Sequence, residues 1–319
     1  MNDNGTTEAL KGLVYKSTGS WYVVRDAAGA FLNARIKGRM KIDEDISSTN
    51  PVAIGDEVLF AFEDKAAGTA VIREICPRRN YIVRTAPHNK HQRHIVAANL
   101  DQAVVVATIA SPRTAQGFID RFLLTAEAYH IPALIVINKI DLLKGKHLAQ
   151  LARWEDMYHA AGYEVLALSA LDPTQIAQLR ERLLGKTTLF SGHSGVGKST
   201  LLNALIPGLG ARTAAVSDWS GKGVHTTTFA EMFDLPEDAG RIIDTPGVKE
   251  FGLVDMERDE LAHYFPELRA LMHSCRFNNC LHLNEPGCAV RAAVEEGTLA
   301  EERYLSYAAI LDTIEEKWK

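Results

Sequence analysis

Phe190-Ser191-Gly192-His193-Ser194-Gly195-Val196-Gly197-Lys198-Ser199-Thr200 is the stretch whose reading decides the fold. It fits G-x-x-x-x-G-K-[ST], a loop that cradles phosphate oxygens on successive backbone N–H groups. Its flanks supply the required context. Ahead of it, Lys186 to Phe190 holds residue types suited to a buried strand. Behind it, Ser199 to Leu205 reads as the first turns of a helix, stopped near Pro207-Gly208. Gly192, Gly195 and Gly197 let the backbone bend inward. The helix N-terminus adds partial positive charge. In such a loop Lys198 reaches the β- and γ-phosphates and the Ser199 hydroxyl sits on Mg²⁺. Gly192 through Thr200, with His193, Ser194 and Val196 included, is therefore the expected phosphate-binding run.

Upstream, Gln102 to Thr108 is a near-continuous apolar run rich in valine, as a buried parallel strand should be. Gln116 to Tyr129 has one apolar face at helical spacing. Ala133 to Ile137 is a second buried strand, Leu148 to Ala161 a second helix, Val165 to Leu168 a third strand and Thr174 to Leu184 a third helix. This alternation predicts a doubly wound α/β domain, whose ligands bind at the C-terminal ends of its strands. Asn138-Lys139-Ile140-Asp141 follows the second strand. A carboxylate there accepts two hydrogen bonds, from N1–H and the 2-amino group of guanine. Adenine lacks that pair of donors, so Asp141 argues against an ATP-dependent kinase. Asn138 and Lys139 brace the loop, and the backbone of Ser169 and Ala170, after the third strand, faces the guanine oxygen. Downstream come His225-Thr226-Thr227-Thr228 and a strand ending in Asp244-Thr245-Pro246-Gly247. Asp244 suits a carboxylate near Mg²⁺, and Gly247 an N–H that meets the γ-phosphate.

The ends of the chain read differently. Gly12 to Tyr15, Trp21 to Arg25, Phe31 to Ile36, Gly55 to Phe62 and Thr69 to Ile75 are five short strand-like runs. That number and spacing suggest a small barrel of the OB type, whose exposed aromatics can stack on bases. Alternation turns one of Trp21 and Tyr22 into the core. Arg78 to Ala98 has no acidic residue and carries Arg78, Arg79, Arg84, Lys90 and Arg93 with His88, His91 and His94. It serves either as a phosphate-contacting patch or as a solvated connector. Residues 1–100 hold 14 Lys/Arg against 11 Asp/Glu, while the chain as a whole is at −5. A simple nucleic-acid binder would not be acidic overall. The polar N-terminus lacks a signal-peptide pattern and no run is long enough to span a bilayer, so a cytoplasmic location is expected. Of four cysteines, Cys76 stands alone as a small buried residue, and Cys275, Cys280 and Cys288 cluster around His282. The spacing C-x4-C-x-H-x5-C offers three thiolates and one imidazole, the donor set of a closed structural Zn²⁺ site. His273 is a nearby competitor for the fourth position. Leu299 to Trp318 reads as a terminal packing helix with Tyr304, Ala308, Leu311 and Ile314 on its apolar face.

These motifs resemble those of the Ras-like GTPases, in a different order. Asn138–Asp141 and Ser169-Ala170 precede the phosphate loop instead of following it, which is a circular permutation. With a barrel before and a Cys/His cluster after, nearly the whole chain resembles the RsgA (YjeQ) family of small-subunit-dependent GTPases. The resemblance implies a multidomain α/β protein: an OB-fold barrel over 1–77, a permuted Ras-like P-loop GTPase domain over 78–255 and a zinc-binding α domain over 256–319. The family pattern selects Cys275, Cys280, His282 and Cys288 as ligands. It implies GTP hydrolysis to GDP, with Mg²⁺, in late maturation of the small (30S) ribosomal subunit, on which the family's turnover depends. It also implies contact with that particle's rRNA. No membrane partner is implied, and no heptad or long apolar stripe demands a dimer, so a monomer is expected. Where Ras has a water-orienting glutamine after Asp-x-x-Gly, this chain has Val248, which cannot hydrogen-bond a water. His225, beside the switch threonines, is expected to take that task with Thr227. The switch at Asp244–Gly247 runs directly into the C-terminal region, so nucleotide state is expected to reach that region along the chain.

Overall fold

The computed structural model describes residues 9–36, 50–86, 89–209, 230–245 and 256–314, with side chains omitted for residues 84–93. His225, Thr227, Gly247, Val248 and His88 lie outside the described residues, as do the side chains of Arg84, Lys90, His91 and Arg93. The chain forms two units, one of residues 1–102, 180–191 and 205–252, the other of 103–179, 192–204 and 253–319.

In the first unit the five strand-like runs become β1 (Leu10–Ser17), β2 (Tyr22–Asp26), β3 (Phe31–Ile36), β4 (Glu57–Asp64) and β5 (Thr69–Ile75). Their pairing closes on itself: β1 with β2, β2 with β3, β3 with β5, β5 with β4, and β4 with β1. Only β3 and β5 run parallel. The ring closes through Leu10–Leu13 of β1, and the far end of that strand is left to pair with another partner. Alternation points Val14, Tyr22, Val24, Leu32, Ala34, Val58, Phe60, Ala70 and Ile72 into one core. Tyr22 is the inward member of the aromatic pair, and Trp21 is 52% exposed. Cys76 is half-buried, not in the core.

The basic stretch is regular and not an irregular linker. It folds as a hairpin of β6 (Tyr81–Ala86) and β7 (Asn89–Ala98). Arg78 is committed to the buried Asp56, with Nε and Nη2 each donating to a carboxylate oxygen at 2.7 Å and Nη2 donating also to Pro51 O at 2.8 Å. Arg79 pairs with Asp101 at 2.9 Å. Neither guanidinium is left free for a phosphate.

Further along, β11 (Thr187–Ser191) runs parallel to β13 (Arg241–Asp244), and β12 (Glu231–Asp234) pairs antiparallel with β13. β12 also meets β1 at Lys16↔Glu231, so the barrel and this ladder are hydrogen-bonded together. Asp234 anchors the junction, taking Tyr15 Oη at 2.6 Å and Arg25 Nη1 at 3.1 Å.

The second unit holds β8 (Gln102–Ala107), whose first residue belongs to the first unit, with β9 (Ala133–Ile137) and β10 (Glu164–Ala167), all parallel. Every residue of β8 is buried, as its unbroken apolar run requires. The helices are α1 (Gln116–Ala128), α2 (Lys146–Ala160), α3 (Pro173–Leu183), whose last residues belong to the first unit, and α4 (Lys198–Leu205). The C-terminal region adds three more: α5 (Pro266–Leu271), α6 (Ala289–Glu295) and α7 (Glu301–Leu311). Its core gathers Leu261, Phe265, Leu268, Val290, Tyr307, Ile310 and Leu311, with Leu124 of α1 among them.

The face of α7 departs from the sequence reading. Arg303, Tyr307, Ile310 and Leu311 are buried, whereas Tyr304 and Ala308 are only partly so. A charged residue was the missing member of the stripe. Arg303 Nη1 donates to Asp120 of α1 at 2.5 Å and Nε donates to Glu267 of α5 at 2.6 Å. Tyr158 Oη donates to the same Asp120 oxygen at 2.9 Å, and the guanidinium lies 4.7 Å from the Phe265 ring centre. Removing one partner of a buried pair strands the other charge without water. Arg303→Met is therefore expected to cost about 3–5 kcal/mol, read as faster amide exchange in α7 and a lower denaturation midpoint. A loss below about 1 kcal/mol would show that the cluster behaves as a surface pair.

Candidate functional site

Three loops carry the expected nucleotide contacts, and each leaves the C-terminal end of a strand. The first, after β9, is laced to the phosphate loop by two side chains. Asn138, almost fully buried, donates from Nδ2 to Val196 O at 2.9 Å. Its Oδ1 accepts the Ala170 N–H at 3.0 Å, which fixes the third loop as well. Lys139 Nζ donates to Gly195 O at 2.7 Å and to Ser111 O at 2.8 Å. Asp141 sits in a short 3₁₀ turn, Ile140–Leu142, with an exposed carboxylate that has no hydrogen-bond partner among the described residues. It is therefore open to a base that offers two donors.

The Ser169-Ala170 loop is held from inside. Ser169 N–H donates to Gln175 Oε1 at 2.6 Å, and Ser169 Oγ accepts from Leu171 N–H at 3.3 Å. With Ala170 N–H on Asn138, these N–H groups shape the loop.

The phosphate loop leaves β11 and enters α4. A Cβ on Gly192 would stand 2.7 Å from Val106 O, so the loop can press on β8 only with glycine there. Gly197 has φ +91°, and a Cβ on it would meet Asn138 Nδ2 at 2.4 Å. The glycine spacing thus serves the Asn138 contact as well as phosphate. Lys198 is the first residue of α4, and Leu201 N–H donates to Gly197 O at 2.9 Å, starting the helix. Ser199 and Thr200 are exposed. Asp244 ends β13 in register with Phe190, two residues before Gly192 in the chain, and is largely buried. Sequence reasoning missed Ser111 and Thr114; they lie in the loop after β8 and carry no motif, and only their place at a strand end singles them out.

The Cys/His cluster is assembled as its spacing implies. The ligand atoms of Cys275, Cys280, His282 and Cys288 all lie within 4.8 Å of one another. His273 is not among them. The imidazole presents Nδ1, 3.6 Å from Cys275 Sγ and 3.4 Å from Cys288 Sγ. Ligand edges of a tetrahedral zinc site with Zn–S and Zn–N bonds of ordinary length are about 3.5–3.8 Å, so the donor set fits that ion. Burial pushes the Cys280 thiol up to about 12 and raises Cys288 as well. Burial also lowers His282, keeping the imidazole neutral as a ligand must be. Three adjacent thiols ionise together only beside a multivalent cation. The loop itself is pinned. Glu285 accepts N–H bonds from Leu281 at 2.8 Å, Leu283 at 2.9 Å and Asn284 at 3.0 Å. Burial works to raise that carboxyl, but the backbone donors outweigh it and hold it below the usual range. Tyr304 and Tyr307 hydroxyls donate to His282 O at 2.8 Å and Leu281 O at 2.9 Å, which holds His282 at φ +61°.

A family model described as RsgA GTPase matches residues 75–254, and one described as RsgA N-terminal domain matches residues 11–70. A small ribosomal subunit biogenesis GTPase RsgA of Bacteroides fragilis is 50% identical over 307 residues, 96% of this chain and 98% of its own length. This chain belongs to the RsgA family of GTPases. Another RsgA, of Christiangramia forsetii, is 47% identical over 311 residues, 97% of this chain and 98% of its own. Among solved structures, YjeQ from Thermotoga maritima superposes with a TM-score of 0.75 at 31% identity, covering 95% of this chain and 98% of that one. YloQ, described as a circularly permuted GTPase, gives 0.74 at 28% identity and full coverage of both chains. The permuted order of motifs is thus a property of the RsgA fold, and the chain is a GTP hydrolase. Its C-terminal region keeps a Cys₃His group.

Metal analysis of the purified protein is expected to give one zinc per chain. Cys280→Ser should lose it and loosen α6 and α7, seen as increased amide exchange there. Full protection with no metal bound would mean that the cluster is held by its hydrogen bonds alone.

Proposed function

We propose that this RsgA-family GTPase binds the small (30S) ribosomal subunit and its rRNA late in subunit maturation, and that the particle stimulates its hydrolysis of GTP. The observation that carries the nucleotide part is the lacing of Asn138 and Lys139 onto the phosphate loop, beside the open Asp141 carboxylate. The ribosomal part rests on what the relatives are called and on a closed barrel with exposed aromatics such as Trp21 and Phe31.

In this reading Asp141 selects guanine by accepting from N1–H and the 2-amino group, with Asn138, Lys139, Ile140, Ser169 and Ala170 shaping its pocket. Gly192 to Gly197 offer N–H groups to the phosphates, Lys198 places its ammonium on the β- and γ-oxygens, and Thr200 helps to start the helix behind them. Ser199 and Asp244 would hold Mg²⁺, which when bound neutralises charge on the phosphates. Gly247 offers its N–H to the γ-phosphate. His225 orients the attacking water in place of the glutamine that Val248 replaces, and Thr227 acts in the same switch. Cys275, Cys280, His282 and Cys288 hold one structural zinc, which closes the C-terminal region and takes no part in hydrolysis. The functional division is an RNA-binding barrel over 1–77, a GTPase domain over 78–255 and a zinc region over 256–319. The protein works as a cytoplasmic monomer. No described helix is long and apolar enough to cross a membrane.

The alternative is an RNA-binding module for which GTP is only a regulatory ligand and turnover is incidental. Hydrolysis assays separate the two. GTP turnover is measured alone, with small subunits and with large subunits, and ATP is the nucleotide control. Stimulation of at least about tenfold, equivalent to lowering the activation barrier by ~1.4 kcal/mol, is expected with GTP and small subunits only. His225→Ala should abolish that stimulation and leave GTP binding intact. A rate that no particle changes would overturn the ribosomal reading, and an unaffected His225→Ala would remove His225 from the mechanism.

A further inference from the structure

His193 occupies the second position of the phosphate loop, where the motif asks only for a backbone. Its side chain is engaged nonetheless. Nδ1 lies 3.1 Å from Ser194 O. A carbonyl oxygen only accepts, so Nδ1 carries the proton and Nε2 of the neutral ring is an acceptor. Nε2 lies 2.7 Å from Thr114 Oγ, whose hydroxyl therefore donates to it.

Thr114 is fixed in turn. It is almost fully buried, its Oγ accepts Thr108 N–H at 2.9 Å, and its own N–H donates to Thr108 O at 2.9 Å. Phe118, on the first turn of α1, packs edge-on against the His193 ring at 5.6 Å. The same segment meets the phosphate loop twice more. Ser111 O shares the Lys139 ammonium with Gly195 O, and a Cβ on Gly195 would come within 3.3 Å of the Pro112 ring. Thr108 to Thr114 therefore forms a floor beneath the loop, and His193 is the loop's own peg into it.

Resting on the reading of residues 192–200 as a phosphate loop, we infer that Thr114 and the His193 side chain are positioning residues for guanine nucleotides. They hold the loop in its binding shape before the nucleotide arrives. A loop with three glycines is costly to order, because glycine has the most backbone freedom to lose. A buried side-chain anchor removes part of that cost from binding. The backbone that the anchor orders cradles the α- and β-phosphates, which GDP and GTP share, so both should gain. Neither residue touches the reacting atoms, so hydrolysis of bound GTP should proceed at the same rate.

Thr114→Val removes the hydroxyl at nearly constant shape, and His193→Phe keeps a ring on Phe118 while removing Nε2. Each variant is titrated with a fluorescent GDP and a non-hydrolysable GTP analogue, then assayed under steady-state and single-turnover conditions. Each should bind both nucleotides about 3- to 10-fold more weakly, the range for one neutral hydrogen bond. KM should rise with kcat unchanged. Thr114→Ser should keep wild-type affinity. The double variant should be no weaker than Thr114→Val, because His193→Phe cuts only the Thr114–His193 bond, which Thr114→Val already removes along with the acceptor for Thr108 N–H. Equal affinities in wild type, Thr114→Val and His193→Phe would overturn the inference, as would fully additive losses or a fall in kcat at constant KM. If the wild-type chain bound neither nucleotide, the phosphate-loop reading itself would fall instead. Should Thr114→Val not fold, His193→Phe and Thr114→Ser carry the same comparison.

Discussion

One buried amide holds the nucleotide loops together. Asn138 donates to Val196 O with its nitrogen and accepts from Ala170 N–H with its oxygen. Its two ends thus join the loop after β9, the phosphate-loop motif and the loop after β10. A buried carboxamide with both ends satisfied is strongly directional, and each unmet end would cost about 1–3 kcal/mol. Lys139 repeats the link with two carbonyl partners. These bonds act through space, not along the chain. That explains why a permuted order of motifs keeps one site: the loops are adjacent because of strand ends and side-chain bridges, whichever loop comes first in sequence. Gly197 belongs to the same constraint, since the Asn138 side chain occupies the space a Cβ would need.

The parts of the fold that were legible in the sequence are those with a local periodic signal. The all-apolar β8, the alternating barrel strands and the helical stripe of α1 declare themselves within a few residues. The loops after β9 and β11 are legible as loops because each follows a buried apolar strand and carries a short motif of few residue types. Other features depend on partners far away in the chain. The four-residue strand β12 is too short to show a period, and it forms because β1 and β13 offer it edges. The hairpin of β6 and β7 was obscured by its charge, since a run of Arg, Lys and His reads as solvated surface. Two of those arginines are in fact paired with Asp56 and Asp101, and the first of these carboxylates is buried.

The C-terminal region shows the same limit in its sharpest form. Its helices are short, and a core of a dozen buried side chains has to be shared with Leu124 of α1. Small cores need further ties. Here the Cys₃His group supplies one, and the Arg303 cluster supplies another. Hydropathy alone assigns Arg303 to the outer face of α7 and turns Tyr304 and Ala308 inward in place of Arg303 and Tyr307, although Leu311 is buried as read. Only Asp120 and Glu267, 183 and 36 residues away, make its burial affordable. The metal loop leans on α7 as well, through the Tyr304 and Tyr307 hydroxyls.

α1 carries both halves of this arrangement. Just ahead of it and on its first turn, Thr114 and Phe118 meet His193 of the phosphate loop. Two residues beyond Phe118, Asp120 points to Arg303, and Leu124 follows one turn later in the C-terminal core. Positions 118 and 120 lie roughly 200° apart around a helix of 3.6 residues per turn, so opposite faces serve the two contacts. A helix this short moves as a rigid rod. Displacing it toward one partner withdraws it from the other, so the phosphate loop and the Arg303 cluster constrain one another through a single element. The placement of α1 that satisfies both sets of bonds is also the one that buries Ile119, Phe122, Leu123 and Ala126.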